Sequence, residues 1–266
     1  MLVLDHVRSA LFLPASNARA LAKARKLACD MVVIDLEDAV ADEAKDAARA
    51  ALLVAINEDW GERVLAVRIN APDSPWHDAD VAALAGLPGV DVIALPKVDD
   101  PAATAALGDR LSKPLLAMIE TPAGLYAARE IAQVVSGLIL GPNDLSAALR
   151  LPPDSGRTGL ALAYQMVVLA ARAAGIVAFD GVYNRFEDPD GFEADCRAGR
   201  LAGFDGKSLI HPSQIEAANR LFGPSPEQIE EAQALVQAFT GGAERFRGRM
   251  IEAMHVAAAH RIIARA

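Results

Sequence analysis

The chain has 266 residues, 53% of them hydrophobic, which suits one α/β barrel or two smaller domains around a large core. Aromatic residues make up only 5%, and Ala, Val, Leu and Ile carry the apolar content, which disfavours an aromatic-rich β-sandwich. The formal charge of −9 excludes the broad basic face of a non-specific nucleic-acid binder, although a local basic patch could still meet a phosphate-bearing ligand.

Eight short β-branched runs follow in order, each leading into a segment with helical spacing. Strands are predicted at Ser9–Pro14, Met31–Leu36, Val64–Ile69, Val92–Leu95, Leu115–Ile119, Gly137–Leu140, Ile176–Phe179 and Ser208–Ile210. The Met-Val-Val-Ile run at 31–34 is apolar on both faces, as a parallel strand covered by helices should be. The helices that alternate with them are expected at Arg19–Ala28, Asp42–Ile56, Ala79–Leu84, Ala102–Leu111, Gly124–Val134, Leu160–Ala174, Glu193–Leu201 and Ser213–Leu221. Ser16-Asn17, Thr121-Pro122 and Pro212-Ser213 supply helix-entry signals. Eight β-then-α units predict a closed (β/α)8 barrel over residues 1–222. An open doubly wound sheet fits less well, because no G-x-G-x-x-G follows the first strand. Residues 223–266 read as a short helical extension, with helices at Glu227–Phe239 and Met250–Ala264.

Cys29 and Cys196 form no CxxC pair and read as buried free thiols, which fits a reducing compartment. No secretory signal opens the chain and no apolar run reaches the ~18 residues of a membrane span, so the expected location is the cytoplasm, without membrane contact.

Polar residues fall where the strands end: Asp35-Leu36-Glu37-Asp38, Arg68-Ile69-Asn70, Pro96-Lys97, Glu120-Thr121, Asn143-Asp144, Asp180 with Tyr183, and His211. Any one of these alone is a helix cap or a solvated charge. In a barrel all of them converge on the C-terminal face, where active sites are built. The ring has several acids but neither a Cys/His cluster nor a Ser nucleophile elbow, so its hard oxygen ligands suit Mg²⁺ or Mn²⁺. Such an ion can act as a Lewis acid on the carbonyl that forms or disappears in aldol chemistry. Arg68 is suited to bind a carboxylate through two parallel bonds or to stabilise an enolate.

At these residues the sequence resembles the citrate lyase β-subunit-like group of the HpcH/HpaI aldolase family. The resemblance begins with Arg8-Ser9-Ala10-Leu11-Phe12-Leu13-Pro14 and Asp35-Leu36-Glu37-Asp38-Ala39-Val40, followed by Lys45 and Arg49. It continues through Val67-Arg68-Ile69-Asn70, Leu95-Pro96-Lys97-Val98, Ile119-Glu120-Thr121-Pro122-Ala123-Gly124 and Gly141-Pro142-Asn143-Asp144-Leu145. It ends in Gly203-Phe204-Asp205-Gly206-Lys207 and Ile210-His211-Pro212-Ser213-Gln214.

The resemblance implies a TIM barrel of the phosphoenolpyruvate/pyruvate type that uses Mg²⁺ to cleave a β-hydroxyacyl-CoA thioester, such as malyl-, citramalyl- or citryl-CoA. The products would be a 2-oxo acid and an acyl-CoA. By motif, Glu120 and Asp144 become the metal ligands, Arg68 grips the oxo acid, and Glu37 and Asp38 order metal-bound water. Arg19 and Lys23 match basic positions that face the CoA phosphates, although both also read as a solvated helix face. A family Met-Ile-Asp, whose acid enters a neighbouring subunit's site, reads here Met250-Ile251-Glu252, one methylene longer. The helix carrying Glu252 is therefore expected to cross to a neighbour in a homo-oligomer, a trimer by resemblance. The longer acid leaves open a thioesterase acting on the same substrate, and a non-catalytic subunit of a lyase complex is the third reading.

Gly206-Lys207-Ser208 resembles the end of a P-loop, but Leu201 stands where that motif needs Gly. His255 and His260, five apart, do not share a helix face as a metal pair would, and they read as surface residues.

Overall fold

The computed structural model describes residues 4–265. Eight parallel strands close on themselves in chain order: β1 Ser9–Pro14, β2 Met31–Asp35, β3 Val64–Arg68, β4 Val92–Leu95, β5 Leu115–Ile119, β6 Gly137–Leu140, β7 Val177–Asp180 and β8 Gly206–Leu209. β8 returns to β1 through Ser9↔Lys207, Ala10↔Ser208 and Leu11↔Leu209, which closes the barrel.

The all-apolar strand runs have a direct cause, since alternate residues are buried on opposite faces of the wall. Ala10, Met31, Val33, Ala66, Ala94, Leu116, Met118, Ile139 and Phe179 fill the bore. Their neighbours Leu11, Val32, Ile34, Val67, Ile93, Ala117 and Leu138 face outward into the layer beneath the helices.

The covering helices are α1 Ala18–Ala24, α2 Lys45–Ala55, α3 His77–Leu84, α4 Pro101–Leu111, α5 Pro122–Ile131, α6 Pro142–Ala148, α7 Gly156–Gly159, α8 Ala161–Ala174, α9 Pro189–Ala202 and α10 Ile215–Phe222. Thr121 caps α5 by accepting the Gly124 N–H, with Pro122 in the first turn. The sixth unit carries two short helices, α6 and α7, ahead of its main helix α8. They were not expected from the sequence, because a seven-residue and a four-residue helix are too short to show a periodicity.

The C-terminal segment holds α11 Pro226–Ala238, a hairpin of β9 Glu244–Phe246 with β10 Arg249–Ile251, and α12 Ala253–Ile263. The helix expected from Met250 thus starts only at Ala253, and Met250-Ile251 belongs to the hairpin. The apolar face of α12 is covered by its own chain: Val256, Ala259, Ile262 and Ile263 pack with Leu235, Val236, Phe239 and Ile251. Arg265 adds a bond from Nη2 to the Asp205 carbonyl at 2.6 Å. Cys29 and Cys196 are both buried and free. Among the described residues no helix is long and apolar enough to cross a membrane.

Candidate active site

One cavity of about 360 Å³ opens at the C-terminal mouth of the barrel. Asp35 and Asp38 reach it from β2 and the turn after it, Arg68 from β3, Glu120 from the end of β5, and Asn143 and Asp144 from α6. Phe12, Met118, Ile139 and Ser208, all on barrel strands, also line it.

Arg68 is buried, and Asp35 fixes it. Nε lies 2.7 Å from Asp35 Oδ1 and Nη2 lies 2.5 Å from Oδ2, so the two parallel bonds expected toward a substrate are made within the chain. Nη1 stands 2.8 Å from Glu37 Oε2 and 3.7 Å from Asp38 Oδ2, while the guanidinium carbon sits 5.4 Å from the centre of the Phe12 ring. Burial opposes this cation, but Asp35 and Glu37 more than offset it, and its pKa is raised.

Glu37 is buried between two cations. Its Oε1 accepts a bond from Lys97 Nζ at 3.2 Å. Among the described residues its Oε2 has no aligned hydrogen-bond donor, despite the nearness of Arg68 Nη1. Burial raises the Glu37 pKa, with Arg68 opposing. Lys97 has φ of 52°, a left-handed conformation that is uncommon for a residue with a Cβ and that recurs where side chains are held for function.

Glu120 is 2% exposed, and its Oε1 accepts the Lys97 backbone N–H at 2.7 Å. Gly141 makes room for it, since a Cβ there would fall 2.4 Å from Glu120 Oε2. Burial, reinforced by Glu37 and Asp144, pushes the Glu120 carboxyl up to about 7 against the Lys97 N–H. Such an acid-rich and dry corner is short of positive charge, and its donors are all oxygens, so a hard divalent cation fits it. Among the described residues no three His, Cys, Asp or Glu side chains form a ready cage. A cation would rest on two carboxylates plus water or substrate oxygens, as Mg²⁺ commonly does.

The turn carrying Glu37 and Asp38 is held from behind. Lys45 Nζ, buried, donates to the Leu36 carbonyl at 2.9 Å, the Glu37 carbonyl at 2.9 Å and Asn70 Oδ1 at 2.8 Å. Asn70 Nδ2 in turn donates to Asp80 Oδ2 at 2.6 Å, and Arg49 Nε donates to Asp80 Oδ1 at 2.7 Å. The sequence reading singled out Lys45 and Arg49 only by resemblance and missed Asp80, whose place inside a helix gave no signal.

Other expected residues lie elsewhere. Asp180 faces away from the bore toward Lys207 and Arg157, and Tyr183 donates to Asp188 at 2.7 Å. His211 opens the 3-10 turn Pro212–Gln214 and stacks on Phe186 at 5.1 Å. Arg19 and Lys23 are exposed on α1 and outside the cavity. Glu252 does not line the cavity of its own chain. It starts α12, with its backbone N–H bonded to Nδ1 of the half-buried His255 at 3.0 Å.

A closed parallel barrel with carboxylates and an arginine converging on its C-terminal mouth is the architecture of an aldolase-type barrel. Residues 8–212 match the HpcH/HpaI aldolase/citrate lyase family, and the chain belongs to it. It is 42% identical to a (3S)-malyl-CoA thioesterase of Cereibacter sphaeroides, over 97% of this chain and 94% of that protein. It is 32% identical to the citrate lyase subunit beta of Escherichia coli, over 97% and 93% of the two chains. Among solved structures, CitE from Mycobacterium tuberculosis in complex with magnesium, acetoacetate and coenzyme A superposes with a TM-score of 0.81, at 32% identity and with 97% of each chain covered.

Proposed function

We propose that this chain is a Mg²⁺-dependent carbon–carbon lyase acting on a β-hydroxyacyl-CoA thioester of the malyl type. The observation that carries the reading is the shared cavity in which Arg68, Glu120 and Asp144 meet, with Glu120 pushed up to about 7 in a corner short of positive charge. The relatives support it through a malyl-CoA thioesterase and a CitE that binds magnesium and coenzyme A. The same complete set of groups supports an enzyme over a non-catalytic subunit.

Glu120 and Asp144 would hold the ion. When bound, it supplies Lewis-acid polarisation of the substrate's carbinol oxygen. Arg68, oriented by Asp35, offers Nη1 to negative charge that develops on the acid. Glu37 and Asp38 would orient water beside the ion, and Arg19 with Lys23 on α1 would meet the CoA phosphates. In the cleavage, the hydroxyl proton would pass to the water oriented by Glu37 and Asp38 as the oxo-acid carbonyl forms and the carbon–carbon bond breaks. The bonding pair passes to the thioester enolate, which then takes up a proton. In a homotrimer that proton would come from the partner subunit's Glu252.

A thioesterase is the second reading, favoured by the 42% identical relative of that name and by Glu252 standing where the family pattern has Asp. Incubating the protein and Mg²⁺ with malyl-, citramalyl- and citryl-CoA, followed by mass spectrometry, separates the two. Acetyl-CoA with an oxo acid marks the lyase. Free CoA with the intact hydroxy acid marks the thioesterase, and no turnover of any ester would refute both.

A further inference from the structure

One hydroxyl on the inner wall of the barrel is left without a partner. Ser208 on β8 is 2% exposed, and its Oγ has no hydrogen bond among the described residues. It nevertheless lines the cavity that contains Arg68, Glu120 and Asp144. Of the other strand side chains that line the cavity, Phe12, Met118 and Ile139 are apolar, and Asp35 and Arg68 are bonded to each other. Its chain neighbour Lys207, which faces the opposite side of the wall, has its ammonium fully satisfied by Asp180, Asp195 and the Gly181 carbonyl. Native proteins rarely leave a buried hydroxyl unpaired, and one that faces a cavity is positioned for a ligand.

The strand registers describe the path from the metal corner to this hydroxyl. Ile119 pairs with Leu140, Ile139 with Phe179 and Asp180 with Lys207. Continued along the strands toward the mouth, the row across the wall reads Glu120, Gly141, Gly181, Ser208. Two glycines therefore separate the carboxylate from the hydroxyl. A Cβ on Gly141 would fall 2.4 Å from Glu120, and one on Gly181 would fall 2.4 Å from Pro142. The Glu120 carboxylate and the Pro142 ring take the space above those two glycines, and the cavity lining runs from Glu120 through Gly141 and Pro142 to Ser208.

The geometry of the carbinol carbon does the rest, on the reading of function given above. Its hydroxyl and carboxylate are bound by the metal corner and Arg68. Its thioester arm must leave through the mouth, because coenzyme A is far larger than a cavity of about 360 Å³. Only the fourth substituent remains inside: hydrogen in a malyl group, methyl in citramalyl, carboxymethyl in citryl. We propose that Ser208 is a specificity-determining residue that faces this substituent and disfavours a methyl group. A methyl cannot satisfy the hydroxyl, whereas a carboxymethyl oxygen can accept from it and a hydrogen leaves room for a water that does so.

The oxo acids glyoxylate, pyruvate and oxaloacetate carry the same three substituents, so binding reads the preference without turnover. Calorimetric titration in Mg²⁺ is expected to show wild-type protein binding glyoxylate and oxaloacetate more tightly than pyruvate. Ser208→Ala should improve pyruvate binding relative to glyoxylate by roughly tenfold, the scale of one group in an apolar pocket. Ser208→Cys, of similar size but a weak donor, should fall between the two. Mg²⁺ affinity without acid should not change in either variant. Unaltered selectivity in both variants, or an equal change for all three acids, overturns the role of Ser208 alone. If wild-type protein binds Mg²⁺ but none of the acids, the proposed function fails and this inference fails with it.

Discussion

Asp35 and Arg68 are register partners on adjacent strands and are joined by two bonds of 2.7 and 2.5 Å, so the arginine is oriented before any ligand arrives. A lysine at 68 presents one point charge and cannot bridge Asp35 while also facing Glu37. Arg68→Lys is expected to lose at least ~2 kcal/mol of transition-state stabilisation, on the scale of a lost oxyanion donor. The quantity to measure is kcat/KM on the preferred thioester, and a value within threefold of wild type would make Arg68 structural.

The metal assignment predicts that Glu120→Gln and Asp144→Asn each weaken Mg²⁺ binding and abolish turnover while the barrel stays folded. An amide keeps the shape but removes the charge a hard cation needs. Circular dichroism with calorimetric Mg²⁺ titration tests this directly. Full activity in either variant, or in excess chelator, contradicts it.

A pH dependence follows from Glu120, whose carboxyl rises from 4.5 to about 7 through burial and the nearby Glu37 and Asp144. The folded chain holds this proton more tightly than the unfolded chain does. Metal-free stability from this group is therefore complete below pH 4.5 and lost as pH rises through about 7, on the order of 3 kcal/mol in all. Mg²⁺ competes with the same proton, so its affinity should climb with pH up to about 7 and level off above. Glu120→Gln should raise the metal-free Tm at pH 8. Thermal scans from pH 5 to 8 check the sign, and a wild-type Tm independent of pH over that range would remove Glu120 as the cause.

Lys45 is expected to be a positioning residue. Lys45→Met leaves the Leu36 and Glu37 carbonyls and Asn70 Oδ1 without their donor, at a cost of about 3 kcal/mol. Because the turn bearing Glu37 and Asp38 loosens, kcat should fall more than thermal stability alone explains. Assaying well below the lowered Tm separates the two effects, and wild-type kcat there would confine Lys45 to stability.

Glu252 lies outside the cavity of its own chain, which makes a shared site testable by mixing. An Asp144→Asn protein and a Glu252→Gln protein should each be inactive. After subunit exchange, mixed oligomers contain some sites with an intact barrel and an intact donated acid, so activity should return. Exchange shown independently, with no recovery, would mean that Glu252 acts within its own chain or not at all.

The barrel was legible because strands such as β2, β4 and β5 are buried on both faces and so appear as apolar runs. The C-terminal hairpin was not, because three-residue strands with the polar sequences Glu-Arg-Phe and Arg-Met-Ile show no period. Glu120, Asp144, Arg68 and Asp38 could be found as polar residues at strand ends, and the cavity brings them together. Asp180 failed that rule because facing alternates along a strand and this residue sits one position out of phase with the bore-facing Phe179. The attachment of Arg68 to Asp35 was hidden for a different reason: cross-strand partners depend on register, which composition does not encode. Ser208 was read as the start of the eighth strand and as part of a failed P-loop, since nothing in a sequence says that a serine lacks a partner.

Behind the wall, Lys207, Asp180, Asp195 and Arg157 neutralise one another, with Lys207 and Asp180 fully buried. Salt in the medium reaches such a core poorly, whereas it screens exposed pairs such as Arg110 with Asp78. Heating lowers the cost of keeping the buried ions out of water, so this cluster is penalised least when the chain is hottest. The seam between β7, β8 and α9 is thereby suited to outlast the exposed pairs in brine and on warming, and it carries through Lys207 the Gly181 carbonyl at the rim of the cavity.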